Sequence, residues 1–296
     1  MSSSTKPLVG AYSGIFYIVG AAFFWSLTSA FVKVVGQGGV SSQQIVLTRA
    51  AVTLIYSYVL VRWSDEASLW GTDLTLLWLR GFFGFATLSC FFFALTKLPL
   101  ADATVIHYTN PVFTALIAAA VLGEELRTSE LLGALASLAG VALITQPSFL
   151  FGGSGAALDL TYVGIALLGA VCASSAQVLI RRLRKTEHPL VVVFYFPFVA
   201  TIGGLPTAAV TDLQWPTLWE WIMLIGGVAG CAQVAQILLT KGLHNEKAGR
   251  AMAVSYLQIV FAAGLGLLVF GEAVDLWSIA GALLVVAGTG FAAWKR

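Results

Sequence analysis

The chain has 296 residues, of which 58% are hydrophobic and only 10% are charged, and its mean hydropathy is +0.89. This composition excludes a soluble domain of this size. The formal net charge of +2 comes from basic residues scattered over short loops, which excludes nucleic-acid binding.

Apolar runs follow one another along the chain, and each is about 20 residues long, the length that crosses roughly 30 Å of hydrocarbon. The segment from Met1 to Tyr12 is polar, and the apolar run after it has no small-residue cleavage site. We interpret that run as a retained helix and not as a signal peptide. The sequence predicts an all-α membrane protein with ten transmembrane helices, at residues 13–34, 43–62, 73–96, 101–122, 129–146, 160–182, 189–210, 217–240, 247–270 and 275–294.

Two halves of the chain resemble each other at a spacing of 148 residues. An ungapped comparison of 101–142 with 249–290 gives 13 identities in 42 positions, more than this biased composition gives by chance. Between the halves lies the loosest joint, from Gln146 to Asp159, which contains Gly152-Gly153-Ser154-Gly155. We expect two five-helix repeats, at 1–148 and 149–296.

The number of helices in each half predicts how the halves are arranged. Five is odd, so the second half must start on the opposite side of the membrane, which is the inverted-topology repeat of many transporters. A cytoplasmic N-terminus places 12 of the 16 Lys and Arg residues in cytoplasmic segments, and only Lys33 and Lys97 at the opposite ends. We expect a multi-pass protein of the plasma membrane (the bacterial inner membrane) with both termini cytoplasmic.

Polar side chains recur at helical spacing within several spans, so each set shares one helix face. We expect these faces, with nearby aromatic side chains, to line a polar cavity between the halves. The alternative is that they join neighbouring helices by hydrogen bonds. The candidate substrate-binding residues on these faces are Trp25, Ser26, His107, Tyr108, Asn110, Gln177, Gln233, Tyr256 and Gln258.

Two prolines lie near the middle of predicted spans. Pro111 falls in the fourth span and Pro197 in the seventh. A kink at either position could hinge a gate, or it could simply allow close helix packing.

Two arginines lie inside predicted spans, each at a depth of roughly 10 Å by the helical rise. An arginine at such a depth, as at Arg49 and Arg80, costs a few kcal/mol unless it faces water or a partner. The planar guanidinium can bind two oxygens of a carboxylate or phosphate. We therefore predict that both arginines bind substrate, the alternative being that they snorkel or brace backbone carbonyls.

Acidic residues are missing from the middle of the membrane, because all fourteen Asp and Glu lie in loops or near helix ends. Cation carriers need such a group, which argues against lipophilic cations as substrates. His107 leaves proton coupling open, since an unperturbed imidazole titrates near neutrality. Cys90, Cys172 and Cys231 share no metal-type spacing, so we expect neither a metal nor another cofactor.

Short motifs that together form a recognisable pattern are spread over nearly the whole chain: Ala22-Phe23-Phe24-Trp25-Ser26, Arg49, Arg80-Gly81, Ala101-Asp102-Ala103-Thr104, Asn110-Pro111-Val112-Phe113, Gly123-Glu124, Gly133, Gly140, Gly271-Glu272, Gly281 and Gly288. In these motifs the chain resembles the drug/metabolite transporter superfamily, in particular its ten-span EamA-type branch. The resemblance implies two inverted five-helix repeats, a central cavity, and export of amino acids or other metabolites by alternating access without ATP.

The function predicted from these features is secondary transport that moves a small carboxylate-bearing metabolite outward, with neutral or aromatic amino acids as leading substrates. A carrier of di- or tricarboxylates is the main alternative, and a channel is a weaker one. An enzyme is not expected, because the chain has no HExxH pair, nucleophile elbow or intramembrane carboxylate pair. The expected partners are a small molecule and the lipid bilayer, and a monomer is compatible with this interpretation.

Overall fold

The computed structural model describes residues 8–65, 67–152, 159–208 and 215–294. Residues 153–158 of the joint between the halves, including Gly153-Ser154-Gly155, lie outside the described residues. The described helices are α1 (Leu8–Gln37), α2 (Ser42–Arg62), α3 (Leu74–Leu95), α4 (Leu100–His107), α5 (Asn110–Leu122), α6 (Thr128–Thr145), α7 (Ser148–Phe151), α8 (Leu160–Leu183), α9 (Pro189–Ala208), α10 (Leu218–Ile222), a π-helix (Met223–Gly230), α11 (Cys231–Asn245), α12 (Ala248–Ser255), α13 (Leu257–Phe270) and α14 (Leu276–Ala293).

Ten segments among the described residues are long and apolar enough to cross a membrane, which confirms the predicted all-α membrane protein with ten spans. α4 and α5 together form the fourth span, and α12 and α13 form the ninth. The eighth span runs from α10 through the π-helix to the end of α11 at Asn245. It is therefore one turn longer than the prediction, which ended at residue 240.

The fourth span is broken at Tyr108 and Thr109, where the sequence predicted one continuous helix. Pro111 lies in the first turn of α5, where the missing N–H has no intrahelical partner to lose. The side-chain amide of Asn110 donates to the His107 carbonyl at 2.9 Å and so satisfies one backbone group at the break. The ninth span is broken at the equivalent Tyr256, whereas α9 continues as a helix through Pro197.

Four glycines bring α6 and α14 into backbone contact. A Cβ atom at Gly288 would lie 2.7 Å from the Gly133 carbonyl oxygen, and one at Gly140 would lie 2.6 Å from the Gly281 carbonyl oxygen. The two contacts are equivalent to each other in the two repeats, because Gly133 corresponds to Gly281 and Gly140 to Gly288. Small residues allow such close approach of helices within a bilayer. A pseudo-two-fold axis therefore passes between α6 and α14.

Two ion pairs at the ends of the bundle show that the repeats are inverted. Lys33, near the end of α1, pairs with Glu272, just after α13. Arg181, near the end of α8, pairs with Glu124, just after α5. Three crossings separate the end of α1 from the end of α5, so the two ion pairs lie on opposite sides of the bundle. We call these sides the Lys33 end and the Arg181 end.

Substituting Gly288 by Ala should lower the stability of the protein, because the added methyl group overpacks the α6–α14 contact by roughly 1–3 kcal/mol. The matched control is Gly290→Ala in the same helix, where a Cβ atom would meet no heavy atom of the described residues within 4 Å. Thermal unfolding in detergent, followed by fluorescence, should show a lower midpoint for Gly288→Ala alone. Equal midpoints for the two variants would contradict the close backbone packing.

Candidate functional site

A small pocket lies between the two halves at the level of Arg49. We call it the Arg49 pocket. Its volume is about 10 Å³, roughly the space of one water molecule, so the side chains around it are nearly closed on one another. It is formed by α1, α2, α9 and α11, and its lining residues are Trp25, Arg49, Thr53, Val193, Phe196, Pro197, Ala232, Gln233 and Gln236.

Arg49 is the charged residue in this lining. Its Cζ atom lies 5.7 Å from the centre of the Trp25 ring, a distance at which a cation and an aromatic ring attract each other. No described carboxylate forms an ion pair with Arg49. The α2 helix places Thr53 one turn further along the same face, and its hydroxyl donates to the Arg49 carbonyl at 2.7 Å. The guanidinium is thus held beside an indole ring without a counter-charge.

Two glutamines of α11 complete the polar side of the pocket. The amide nitrogen of Gln233 donates to the Ser57 hydroxyl of α2 at 2.9 Å, and both side chains are buried. Gln236 follows three residues later on the same face, and its amide nitrogen is buried without a hydrogen-bond partner among the described residues. A buried amide without a partner costs free energy, so a ligand atom that accepted a hydrogen bond from Gln236 would remove that cost.

Arg80 lies behind one wall of the pocket and outside its lining. Its Cζ atom is 5.1 Å from the centre of the Phe196 ring, only 3% of the residue is exposed, and its Nε atom has no partner among the described residues. Gly84, one turn along α3, leaves room for the guanidinium, because a Cβ atom there would be 2.6 Å from Nη1. Phe196 therefore separates the two intramembrane arginines.

A wide groove lies closer to the Lys33 end than the Arg49 pocket does. We call it the α2–α3 groove, and its volume is about 690 Å³. Helices α2 and α9 line both cavities. They contribute Arg49 and Pro197 to the pocket, and Val46, Ala50, Ala200 and Gly204 to the groove. Its other lining residues are Ser41, Gln43, Leu47, Phe85, Leu88, Ser89, Phe92, Phe93 and Thr96.

Several predicted site residues lie at the helix breaks instead of in the pocket. The rings of Tyr108 and Tyr256 stack with their centres 6.2 Å apart, and the Tyr256 hydroxyl donates to the Tyr108 carbonyl at 2.7 Å. His107 packs on Phe91, with ring centres 4.5 Å apart, and its Nδ1 atom is buried without a partner among the described residues. These groups surround the pseudo-two-fold axis.

Ser26 and Ser174 join the halves by equivalent hydrogen bonds. Ser26 donates to the Gln258 carbonyl at 2.7 Å, and Ser174 donates to the Asn110 carbonyl at 2.8 Å. Each carbonyl belongs to the first turn of the helix that follows a break. Gln177 lies one turn beyond Ser174, and its buried amide oxygen has no partner among the described residues.

The structure thus brings together Trp25, Arg49, Pro197 and Gln233 and leaves the other predicted residues around them or at the axis. Thr53 and Phe196 also line the pocket, and neither was predicted from the sequence. Thr53 could have been found from its spacing of four residues from Arg49, which places both on one face. Phe196 carries no such signal, because its role depends on how α9 packs against α3. The binding roles of all these residues stay predictions.

Comparisons with known proteins agree with this architecture. A model described as the EamA-like transporter family matches residues 12–146 and again residues 160–294. The pseudopaline exporter CntI of Pseudomonas aeruginosa is 32% identical over 274 residues, which cover 93% of each protein. Human solute carrier family 35 member G1 is 29% identical over 294 residues, which cover 96% of this chain and 79% of the relative. One crystal structure has the same fold, with a TM-score of 0.80, 22% identity and coverage of 95% of this chain and 98% of its own.

Substituting Tyr256 by Phe should destabilise the protein by about 0.5–1.5 kcal/mol, because the fully buried hydroxyl loses its hydrogen bond to the break in the fourth span. The repeat provides the control, since Tyr108→Phe removes a hydroxyl for which the structure gives no hydrogen bond. Thermal unfolding of the two variants should therefore differ. If Tyr108→Phe is the more damaging substitution, the stabilising role assigned to the Tyr256 hydroxyl is wrong.

Proposed function

The chain belongs to the EamA-like transporter family, and we propose that it exports small carboxylate-bearing metabolites by alternating access. Neutral or aromatic amino acids are the leading substrates. The observation that carries this proposal is the guanidinium of Arg49, which lines a pocket between the halves without any described carboxylate to neutralise it. The chain is an integral multi-pass membrane protein, so this charge is kept in a region where an unpaired cation is costly.

A carboxylate is the ligand that best offsets this cost. The planar guanidinium can donate two parallel hydrogen bonds to the two carboxylate oxygens, and such charge-assisted bonds are about twice as strong as neutral ones. The free amide of Gln236 lies in the same lining and can donate a further bond. Amide and hydroxyl oxygens of the lining can accept from an amino group.

The rest of the substrate would lie against aromatic and aliphatic surfaces. Trp25 and Phe196 form walls of the Arg49 pocket, and Phe85 and Phe92 continue the apolar surface into the α2–α3 groove. The pocket itself holds about one water, so a substrate must displace side chains or extend into the groove. This arrangement favours a carboxylate attached to an apolar or aromatic body.

A second candidate substrate is a di- or tricarboxylate. Arg80 and Arg49 lie on either side of Phe196, and both lack an ion-pair partner among the described residues. A rotation of the Phe196 ring would bring two guanidiniums to one cavity and would suit two carboxylates. In this arrangement Arg80 has the docking role predicted from the sequence.

The charge distribution supports an orientation in the membrane, and one relative supports a direction of transport. The excess of Lys and Arg in segments at the Arg181 end supports a cytoplasmic location for that end and for both termini, in a plasma membrane of the bacterial inner-membrane type. The α2–α3 groove would then open outward. The relative named as a pseudopaline exporter supports outward movement of a metabolite.

Two substitutions of Arg49 should separate the contribution of its positive charge to substrate binding from that of its planar guanidinium. In proteoliposomes, Arg49→Ala should reduce saturable counterflow of labelled phenylalanine at least about tenfold, because a charge-assisted bidentate pair is lost. Arg49→Lys should retain part of the rate, since it keeps the charge and loses the fork. The control is Arg182→Ala, which removes an exposed cation next to the end of α8.

The same assay compares the two substrate classes. Succinate counterflow that exceeds phenylalanine counterflow and depends on Arg80 would favour the organic-anion carrier. Full activity of Arg49→Ala with either substrate would contradict the docking role of Arg49, and flux that does not saturate would favour a channel.

A further inference from the structure

We propose that Arg181 is a latch that holds the Arg181 end closed, and that its repeat mate Lys33 is too weak a latch to close the Lys33 end. The difference between an arginine and a lysine at equivalent positions would then set the resting conformation. The proposal rests on the proposed function only in assuming that the two ends open in turn.

The four charged residues are equivalent in pairs. Lys33 and Arg181 are 148 residues apart, and so are Glu124 and Glu272. Each glutamate follows a glycine with φ of +64°, a left-handed conformation that ends the helix and that glycine adopts without strain. The N–H of Glu124 bonds to the Ala118 carbonyl, and that of Glu272 to the Gly266 carbonyl, six residues back in each case. The two carboxylates are therefore presented by the same local structure.

At the Arg181 end, the guanidinium bridges three segments. Its Nε atom donates to the Glu124 carboxylate at 2.8 Å, and its Nη1 atom donates to the carbonyls of Leu243 at 3.0 Å and His244 at 2.9 Å. The other Glu124 oxygen accepts from the Ala248 N–H at 2.9 Å. The side chains are only 7% and 16% exposed, so water screens this cluster weakly. Arg181 thus ties the end of α11 to the ends of α5 and α8.

At the Lys33 end, the equivalent pair makes fewer contacts. Lys33 contacts Glu272, and its Nζ atom lies 4.4 Å from the centre of the Phe270 ring. The side chains are 39% and 51% exposed. The residues equivalent to Leu243 and His244 are Leu95 and Thr96, at the end of α3, and the structure gives neither carbonyl a hydrogen bond from Lys33. A lysine carries one compact ammonium group, whereas arginine presents a planar fork of donors.

The two ends of the bundle differ at α11, which Arg181 holds, and at α3, which Lys33 does not hold. The end of α3 borders the open α2–α3 groove, and Thr96 and Ser89 are exposed in its lining. The equivalent groove at the Arg181 end would lie between α9 and α11. There the equivalents of Gln43, Val46, Leu47 and Phe92 are all buried: Val191, Phe194, Tyr195 and Thr240.

The Arg181 end is therefore closed where Arg181 holds the end of α11, and the Lys33 end is open where the end of α3 is not held. Inverted repeats allow each half to adopt the arrangement of the other, which converts one open end into the opposite one. Breaking the bonds from Arg181 to the α11 carbonyls would release α11 as α3 is released now. Adding equivalent bonds at Lys33 would hold α3 as α11 is held now.

Two reporter cysteines measure the state of each end without any substrate. In a background with Cys90, Cys172 and Cys231 replaced by alanine, Thr240→Cys reports opening of the Arg181 end and Ser89→Cys reports opening of the Lys33 end. The equivalent of Ser89 in the second repeat is Ile237, which neighbours Thr240 in α11. In protein purified in detergent, where the reagent reaches both ends of the bundle, a water-soluble maleimide should label Ser89→Cys quickly and Thr240→Cys slowly when no other residue is changed.

Substitutions that make the repeats alike should shift these rates. Arg181→Lys should raise the labelling rate of Thr240→Cys about tenfold or more, because bonds from a charged donor to two carbonyls are lost. Lys33→Arg should lower the rate of Ser89→Cys. Arg182→Lys, the exposed neighbour, should change neither rate.

Unchanged labelling of Thr240→Cys in folded Arg181→Lys, or of Ser89→Cys in Lys33→Arg, overturns the proposal. If Arg181→Lys does not fold, Lys33→Arg alone decides, since it alters an exposed pair. Failure of amino-acid counterflow with the labelling shifts intact would reject the substrate assignment and leave the latch supported.

Discussion

The backbone contact between α6 and α14 constrains everything else in this molecule. Gly133 and Gly140 bring α6 so close to Gly288 and Gly281 that any side chain at these positions would collide with a carbonyl group. This contact changes little when the halves are exchanged, because it maps onto itself about the pseudo-two-fold axis. The contacts of the surrounding helices do not map onto themselves, so the packing of those helices can differ between the Lys33 end and the Arg181 end.

Around this axis, the broken spans supply backbone groups for contacts between the halves. In hydrocarbon, an exposed backbone carbonyl needs a partner, and the breaks at Tyr108 and Tyr256 create such carbonyls at the centre of the bundle. The Tyr256 hydroxyl donates to the Tyr108 carbonyl at one break, and Ser26 and Ser174 donate to carbonyls in the first turns after the two breaks. The centre is thereby held by neutral hydrogen bonds, and the charged groups are left for the pocket and the ends. Arg49 has no described counter-charge, whereas Arg181 has both a carboxylate and two carbonyls.

Much of the fold followed from the sequence, because span length, the repeat and the odd helix number are properties of the chain itself. The break in the fourth span had a signal, since Asn110 and Pro111 suit the first turn of a new helix. The equivalent break at Tyr256 has no proline and could be inferred only from the repeat. The site was less accessible to prediction. Arg49 and Arg80 look alike in sequence, and only the packing of α9 decides that Phe196 separates them. The partner of Gln233, Ser57, lies 176 positions away along the chain and has no local signature.

The central claim is that one end of an inverted-repeat bundle is open while the equivalent end is closed, and that the two states exchange. Distances between spin labels, measured by double electron–electron resonance, test it most directly with one pair at Gln43 and Thr96 and another at Pro189 and Lys241. In lipid, the account predicts two populations in which a long distance in the first pair accompanies a short distance in the second, and the reverse. Distances at the two ends that lengthen together, or a single fixed distance for each pair under all ligand conditions, would contradict it.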